Sequence, residues 1–406
     1  MTLSITLPAA EDISLETLLA RLDRDEAGLP PFAPEITAAM ATLSGLLLRD
    51  RQARQFAELQ SLGFWLRPAA IERLRRDFLA AEPDAVRVPR GTVLHIPPSN
   101  VDTIFVYSWA LSMLAGNRNI VRLPSRRARQ VDLLLGLLGT VLAQHPALAP
   151  STIMLGYGHD DAVTTALSAK ADVRVIWGGD RTVNHIRSLA LPPHATELTF
   201  PDRFSLAAFA ADAVLALDEP GLVRLADAFF NDVYWFDQMA CSSPRQLYWI
   251  GSAEAGRAAS VRFRQALAAA IDRRGYELNL GAAVEKVTLL CRAILDLPVA
   301  EVWQQGSALA VLMLDEVADL RAAPLGGGTL FELVLPELAA LAPLVRRKDQ
   351  TLSHFGFSGD ALRDLARRIN GRGIDRMVPV GDALAFGHVW DGVNLLTELT
   401  RLVAIK

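Results

Sequence analysis

The amino-acid sequence predicts an α/β protein with a Rossmann-type parallel sheet and a second α/β domain. The chain has 406 residues, which is too long for one compact core and indicates two or three domains. Hydrophobic residues make up 51% and charged residues 21% of the chain, so a large and well-ordered core is expected. Between residues 86 and 180, short β-branched runs alternate with helical stretches. This alternation is typical of crossover units and a parallel sheet.

The first eighty residues are mostly helical in pattern. Leu15, Leu18, Leu19 and Leu22 recur at the spacing of one helix face. The proline-rich segment PPFAP at 30–34 interrupts the helical pattern and predicts a loop.

A run of strands and helices follows. The predicted order is strand 92–96, helix 101–115, strand 119–123, helix 127–145, strand 151–155, helix 161–170 and strand 173–177. Gly116 and Asn117 end the first of these helices, as glycine and asparagine commonly do. Helices between successive strands predict parallel neighbours with ligands at the carboxyl ends of the strands.

Further strands are predicted at 247–250, 309–313 and 329–335, which indicates a second α/β domain. We therefore predict a cofactor-binding domain over residues 1–208 and a catalytic domain over 209–370. Residues 371–406 are predicted to form a C-terminal segment that packs back on the cofactor domain or mediates oligomerisation.

Charge and composition exclude several functions. The net charge is −4 and no basic block is present, which argues against a nucleic-acid partner. No apolar run reaches the length of a membrane span, and no export signal is visible, so a cytoplasmic protein is expected. Only Cys241 and Cys291 are present, which does not make a disulfide framework. The abundant apolar residues favour a homo-oligomer.

Several common motifs are missing from the sequence. It contains no G-x-G-x-x-G after a strand, no phosphate-binding G-x-x-x-x-G-K-[ST] and no G-x-S-x-G nucleophile elbow. The seven histidines are scattered without the pairing of metal ligands, so no metal site is predicted.

The candidate residues that remain are a cysteine, an asparagine and three strand ends. Cys241 follows five aromatic residues in the stretch FFNDVYWF, at 229–236, and is either a buried hydrophobic residue or a nucleophile. Asn100 after two prolines either caps a helix or donates to an oxyanion. Gly178-Gly179 forms either a turn or a phosphate site at a helix N-terminus. The residues alone leave these alternatives open.

The order of the motifs is more informative than any one residue. HIPPSN, LAGN, LPS, GYGH and VIWGGD precede FFNDVYWFDQMACSSPR, and this order resembles the aldehyde dehydrogenase superfamily. WFDQMACSSPR and GIDRMVPVGDALAFGHVWDGVNLL resemble, more closely, the LuxC-like acyl-CoA reductases, the fatty-acid reductase component of bacterial bioluminescence operons. The similarity extends from LGFWLRPAAI at 62–71 to the C-terminus.

The resemblance implies an aldehyde-dehydrogenase-like fold and NADPH-dependent reduction of an acyl thioester, such as a long-chain acyl-CoA, to the aldehyde. Cys241 would be the nucleophile, Asn100 the oxyanion donor and Glu197 a candidate base. The implied cofactor contacts are Pro98, Ser99, Arg122, Ser125, Gly178, Gly179 and Val183.

Three other functions stay open. A hydrolytic aldehyde dehydrogenase would use Glu197 to activate water, whereas a reductase has no need for such a base. The acyl group could instead be aromatic or branched, as in a biosynthetic pathway. The chain could also be a non-catalytic subunit that keeps the fold, since the resemblance implies acyl-CoA or acyl-protein substrates and complexes with acyl-transfer or synthetase partners.

Overall fold

The chain folds into two compact units in a computed structural model that describes residues 2–23, 28–80, 84–98, 101, 103–124, 128–322 and 326–405. The first unit comprises Met1–Asp202 together with Phe386–Lys406, and the second comprises Arg203–Ala385. The boundaries between the units thus follow Asp202 and Ala385, whereas the sequence predicted boundaries after residues 208 and 370.

The first unit begins with two strands and four helices and continues as alternating strands and helices. Its strands up to Asp202 are β1 (Thr2–Leu7), β2 (Glu11–Ser14), β3 (Ala85–Pro89), β4 (Thr92–Ile96), β5 (Arg118–Arg122), β6 (Thr152–Gly156), β7 (Val173–Trp177) and β8 (Thr196–Phe200). Its helices are α1 (Leu15–Leu22), α2 (Pro34–Arg49), α3 (Ala57–Trp65), α4 (Pro68–Leu79), α5 (Ile104–Leu114), α6 (Arg129–Gln144), α7 (Asp161–Ser168) and α8 (Asp180–Arg187), with 3-10 turns at Ala53–Gln55 and Pro146–Ser151.

Seven of these strands form one sheet in the order β2-β1-β6-β5-β4-β7-β8. The strands from β6 to β8 are parallel, and β1 adds to the edge antiparallel to β6. Both faces are buried, as expected for parallel strands covered by helices. On β4, Val93 faces the apolar cluster that includes α2 and α5, and Leu94 faces the cluster that includes α1, α7 and α8. Every residue of α5 is buried, which fits a helix that is apolar all round.

The second unit is built on another seven-stranded sheet, in the order β11-β12-β13-β10-β9-β14-β15. Its strands are β9 (Phe204–Ala210), β10 (Pro244–Ile250), β11 (Val299–Gln305), β12 (Leu309–Leu314), β13 (Thr329–Leu335), β14 (Asp349–Phe355) and β15 (Arg376–Pro379). Its helices are α9 (Ala211–Leu215), α10 (Glu219–Tyr234), α11 (Ala253–Arg274), α12 (Leu280–Asp296) and α13 (Gly359–Ile369), with a 3-10 segment at Leu338–Leu344. Only the edge strand β11 is antiparallel to its neighbour among these described strands.

The C-terminal residues return to the first unit. They form β16 (Val389–Trp390), β17 (Val393–Asn394), α14 (Leu395–Glu398) and β18 (Thr400–Ala404). The strands β16 and β17 pair with each other, and β18 pairs antiparallel with β3. Leu395, Leu396 and Leu399 of this return are buried in the core of the first unit.

The α/β prediction is confirmed, and the strands predicted at 92–96, 173–177 and 329–335 have the bounds that the structure gives. Sequence reasoning missed β1 and β2, because their residues were assigned to a helical N-terminus. In β1, Leu3, Ile5 and Leu7 alternate with more exposed residues, which is the period of a half-buried strand and not that of a helix.

Candidate active site

The carboxyl ends of β4 and β7 lie side by side, where the order of the first sheet reverses. The strands β5 and β6 lie on one side of this point and β8 on the other. Ligands of open α/β sheets bind in the crevice at such a reversal. Pro98 follows β4, and Gly178-Gly179 follows β7, so the structure brings these predicted cofactor contacts to one edge. Ser99, Asn100 and Ser125 lie outside the described residues.

The helix α8 starts directly after this edge and has no side-chain cap. Its N-cap residue is Gly179, and among the described residues no side-chain cap is present. A Cβ at Gly179 would meet no atom within 4 Å, so space is open at this N-terminus. The first N–H groups of a helix lack intrahelical partners and attract anions. The end of α8 can therefore accept a negatively charged group.

Arg122 and Val183 are both placed near this edge, but in different surroundings. Arg122 ends β5, with its Nη2 atom 3.0 Å from His159 Nδ1 and its guanidinium 5.2 Å from the ring centroid of Tyr157. These contacts hold an always charged group at the carboxyl edge. Val183, in contrast, is buried in the apolar cluster beneath α8, where it supports the helix and presents no surface to a ligand.

Glu197 lies near the opposite ends of the strands, at the amino edge of the sheet. It pairs in register with Arg174 near the start of β7, about 13 Å along the strand from Gly178. Arg174 Nε donates to Glu197 Oε2 at 2.8 Å, and Arg187 Nε donates to Oε1 at 3.0 Å. Both carboxylate oxygens are engaged in ion pairs that link β7, α8 and β8. This geometry gives Glu197 a structural role and argues against the predicted role of a base.

A buried polar chain behind the carboxyl edge was missed by sequence reasoning. Trp177 Nε1 donates to Ser108 Oγ at 3.2 Å, and Ser108 Oγ lies 2.7 Å from His95 Nδ1. His95 Nε2 lies 3.0 Å from Asn119 Oδ1, so this ring nitrogen carries the proton. Burial lowers the pKa of His95 to about 4, against a smaller opposing effect of Asn119. The neutral imidazole thus links β4, α5, β5 and β7 just before the residues of the candidate site.

Aromatic side chains from distant parts of the first unit meet at the same edge. They are Trp65, Tyr107, Trp177, Phe200, Phe386 and Trp390. Trp177 and Phe200 end β7 and β8 and stack with their ring centroids 3.9 Å apart. Tyr107 lies in the middle of the group, and its hydroxyl donates to the carbonyl oxygen of Gly387 at 2.7 Å. This bond and the ring contacts fix the start of the C-terminal return beside the predicted cofactor contacts.

Cys241 lies in the second unit, in a turn between α10 and the start of β10, and is partly exposed. Asp237 and Gln238 in this turn have φ angles of 50° and 61°, which residues other than glycine rarely adopt. Gln238 is fully buried and accepts at Oε1 from the N–H groups of Gly328 and Thr329, at 3.0 and 2.9 Å. Its Nε2 donates to the carbonyl oxygens of Pro244 and Thr329, at 2.8 and 2.9 Å.

Two further hydrogen bonds hold the cysteine and the residue after it. Ser205 Oγ on β9 donates to the carbonyl oxygen of Cys241 at 2.6 Å. The next residue, Ser242, donates through its Oγ to Gln350 Oε1 on β14 at 3.0 Å. The cysteine turn is therefore tied to β9 and β14 at the amino edge of the second sheet. Cys291, on the surface of α12, is exposed.

The aromatic stretch before Cys241 divides into two parts. Phe229, Phe230 and Tyr234 belong to the apolar core around α10, whereas Trp235 and Phe236 are partly exposed. The first three are core residues, and only the last two could contact a ligand near the thiol.

The helix α10 that leads to this turn carries a buried carboxylate. Asp232 Oδ2 accepts from Gly381 N at 2.8 Å, and Oδ1 accepts from Ala383 N at 2.9 Å. Burial raises the pKa of Asp232 to about 7, although these two N–H groups lower it. Asp232 thus fixes the segment after β15 to the helix that carries the cysteine turn.

Neither a metal-ligand cluster nor a membrane-spanning helix is present in the described part of the chain. No cluster of three histidine, cysteine or acidic side chains there could hold a metal ion. Within the same residues, no helix has both the length and the apolar character that a membrane span needs.

The overall fold matches that of solved aldehyde dehydrogenases. Aldehyde dehydrogenase 21 from Physcomitrella patens, solved in complex with the reaction product succinate, superposes with a TM-score of 0.68 at 13% identity, over 99% of this chain and 94% of that one. An NAD-dependent benzaldehyde dehydrogenase from Corynebacterium glutamicum gives a TM-score of 0.64 at 15% identity, over 96% and 87% of the two chains. The chain thus has the aldehyde dehydrogenase fold, as predicted.

Residues 74–402 match the sequence profile of the family described as acyl-CoA reductase (LuxC), and the chain belongs to that family. It is 27% identical over 165 residues to the long-chain acyl-protein thioester reductase of Aliivibrio fischeri, covering 40% of this chain and 33% of that protein. The namesake from Photorhabdus luminescens is 25% identical over 326 residues, covering 78% and 64% of the two proteins. The matched part is thus a third of the first relative and under two thirds of the second.

We expect His95→Gln to change how stability depends on pH. The pKa of His95 is about 4 in the folded chain and about 6.5 when unfolded, so only the unfolded chain takes up this proton between those values. The stability that His95 contributes is present above pH 6.5 and is lost as the pH falls toward 4, by up to roughly 3 kcal/mol. The difference in the free energy of unfolding between wild type and variant, measured by urea unfolding, should be smaller at pH 4.5 than at pH 7. An equal difference at both pH values would contradict the prediction.

Gln238→Leu should destabilise the second unit by about 3 kcal/mol or more. The variant leaves two buried N–H groups and two buried carbonyl oxygens without the partners that Gln238 gives them. Gln304→Leu is the matched control, because Gln304 donates one exposed bond to Gly306 and should cost under about 0.5 kcal/mol. Urea unfolding followed by tryptophan fluorescence measures both, and equal losses would refute the role given to Gln238.

Proposed function

We propose that the protein reduces an acyl thioester to the aldehyde with NADPH, through an acyl group carried on Cys241. The proposal is supported by membership of the acyl-CoA reductase family and by the names of the relatives. The observation that carries it is the turn of Cys241, in which a partly exposed cysteine lies on a backbone held by Gln238 and Ser205. A cysteine on a fixed and partly exposed turn meets the geometric need of a nucleophile.

In the proposed reaction, the thiolate of Cys241 attacks the carbonyl carbon of the substrate thioester. The bond to the carrier sulfur then breaks, and the carrier thiol leaves with a proton. NADPH, which the N-terminus of α8 and Arg122 would hold, would supply a hydride to the carbonyl carbon of the Cys241 thioester. The bond between carbon and Cys241 then breaks, which releases the aldehyde and restores the thiol. Each turnover consumes one NADPH and one proton.

Asn100 remains the proposed oxyanion donor, together with the backbone N–H of Cys241. The support for Asn100 is the resemblance of HIPPSN to the superfamily segment. An amide that donates to a developing oxyanion typically contributes roughly 2.7–4 kcal/mol to the transition state.

The residues at the carboxyl edge of the first sheet fit a dinucleotide phosphate. The N-terminus of α8 lacks a side-chain cap, and the space at Gly179 is open. A phosphate there would accept from the first N–H groups of the helix. Arg122 is held near the end of β5 and offers a cation to a second phosphate, which favours NADPH over NADH.

The acyl group is proposed to be a long chain carried on CoA or on a protein. The relatives' names include long-chain acyl-protein thioesters. Trp65, Phe386 and Trp390 present partly exposed rings at the edge of the first sheet, and Trp235 and Phe236 do so beside Cys241. Aromatic walls give an apolar chain a large contact area.

The alternative of hydrolysis loses the base that the resemblance implied. A hydrolytic dehydrogenase must activate water against its thioester, and Glu197 is occupied by two arginines at the far edge of the sheet. A reductase instead has to keep water from the acyl-enzyme until hydride transfer. The engagement of Glu197 therefore favours reduction over hydrolysis.

Cys241→Ala is expected to abolish NADPH consumption with acyl-CoA while NADPH binding is retained. Mass spectrometry of the wild type incubated with a long-chain acyl-CoA, without NADPH, should show one acyl group on the peptide that contains Cys241. Cys291→Ala is the matched control and should keep both the adduct and the activity, because Cys291 is exposed on α12. An acyl group only on Cys291, or full activity in Cys241→Ala, would overturn the mechanism.

Gly179→Asp should weaken NADPH binding at least tenfold without lowering the melting temperature. Aspartate is a favourable N-cap, so the helix itself is not harmed, but its carboxylate would repel a phosphate at the same place. Gly136→Asp is the control, because Gly136 on α6 also has open space around an added Cβ. Titration of NADPH fluorescence measures the binding. Unchanged affinity in Gly179→Asp would remove α8 from the cofactor site.

A further inference from the structure

A buried ammonium group lies behind the cysteine turn with only backbone partners. Lys286 on α12 is 5% exposed. Its Nζ atom donates to the carbonyl oxygens of Ser307, Gly327 and Gly328, at 2.9, 2.6 and 3.4 Å. Within the described ranges, no carboxylate oxygen lies within the 4.0 Å of an ion pair with this lysine. A buried charge without a counter-ion is costly, so its position calls for a physical reason.

Two of the three carbonyl groups that Lys286 contacts, those of Gly327 and Gly328, belong to the peptide units that hold Gln238. The Gly327 carbonyl and the Gly328 N–H are two ends of one amide, and the Gly328 carbonyl and the Thr329 N–H are two ends of the next. Lys286 binds the oxygen ends of both amides, and Gln238 Oε1 accepts from their N–H ends. A cation on the oxygen of an amide polarises it and strengthens its N–H as a donor.

The approach of these segments is close and depends on glycine. Gly328 has a φ of 76°, and a Cβ there would lie 1.9 Å from the carbonyl oxygen of Ala308. Gly327 N donates to the carbonyl oxygen of Asp237 at 2.8 Å, which adds a direct bond to the cysteine turn. Lys286 thus draws together the end of the β11–β12 turn and the segment before β13, and the latter holds Asp237 and Gln238.

We propose that Lys286 is a positioning residue for Cys241. The ammonium charge of Lys286 acts on Gln238 through the amides of Gly327, Gly328 and Thr329. The catalytic consequence rests on the proposed function of Cys241, whereas the coupling of Lys286 to the turn does not. Loss of the charge weakens two donors to Gln238 and loosens a turn that holds two residues at positive φ.

The same contacts make the turn sensitive to alkaline pH. Burial lowers the pKa of Lys286 to about 8. Among the described residues, the ionisable side chains on the neighbouring segments include Asp237, Tyr234, Tyr276, Asp272 and Glu277. The helix α12 itself also carries Glu285, Cys291, Arg292 and Asp296. Burial raises the pKa of Tyr234 and of Tyr276 above the ordinary tyrosine value, so both phenols stay neutral near pH 8. Of Lys286 and these two phenols, Lys286 is therefore the one whose charge changes near pH 8.

Hydrogen–deuterium exchange tests the coupling directly. In Lys286→Met, which keeps the length of the side chain and removes the charge, the peptides spanning 236–243 and 326–330 should exchange at least tenfold faster than in the wild type. Leu290→Ala is the matched control, since Leu290 is buried on the same helix but in another apolar cluster. It should speed exchange on α12 without this increase in the two peptides. Unchanged exchange of both peptides in Lys286→Met, or the same increase in Leu290→Ala, would overturn the proposal.

The wild type provides a second measurement should Lys286→Met not fold. After correction for the intrinsic rate, protection of the two peptides should fall at least fivefold between pH 7 and pH 9.5, and constant protection would overturn the proposal. Single-turnover acylation of Cys241 by acyl-CoA should fall at least tenfold in Lys286→Met, with acyl-CoA affinity changed less than twofold. The rate of acylation in the wild type should decline above pH 8, and this decline should be absent from Lys286→Met. If the wild type takes no acyl group, the proposed function fails, whereas the exchange result still decides the role of Lys286.

Discussion

The position of Cys241 depends on one buried side-chain amide. Asp237 and Gln238 hold left-handed backbone conformations, each of which costs on the order of 1–3 kcal/mol for a residue other than glycine. The four hydrogen bonds of Gln238 offset that cost, because they satisfy every donor and acceptor of its amide and join the turn to β10 and β13. Cys241 lies three residues later in the same turn, so these bonds also restrict its position. The proposed chemistry therefore depends on Gln238, a residue with no chemical role of its own.

Much of the fold could be predicted because the alternation of strands and helices is a local property. Each of the strands at 92–96 and 173–177 is a short run rich in β-branched and apolar residues, and all of its residues are buried, as expected for strands covered on both faces. The prediction missed the N-terminal strands because β1 joins the sheet through a long-range pairing with β6. No local signal identifies that partner.

The candidate site could be predicted only in part. Residue type and order pointed to Cys241 and to Gly178-Gly179, and the structure places these glycines at the reversal of the sheet. Glu197 was named from the family resemblance, yet its contacts are with Arg174 and Arg187, which are neighbours only after β7, α8 and β8 have packed. The sequence could not identify His95 or Lys286 either, because their roles follow from partners distant in the chain.

Buried polar groups recur in both units close behind the candidate residues. His95 lies within a hydrogen-bonded chain next to the segment after β4, Asp232 fixes α10, and Lys286 supports the amides that hold Gln238. An apolar core would be at least as stable without them, since burial opposes the charged form of each group. Apolar packing tolerates small shifts, however, whereas a hydrogen bond fixes both direction and distance. The fold thus gives up some stability in order to hold a few backbone segments in fixed positions. The proposed nucleophile and the proposed cofactor both need such fixed positions.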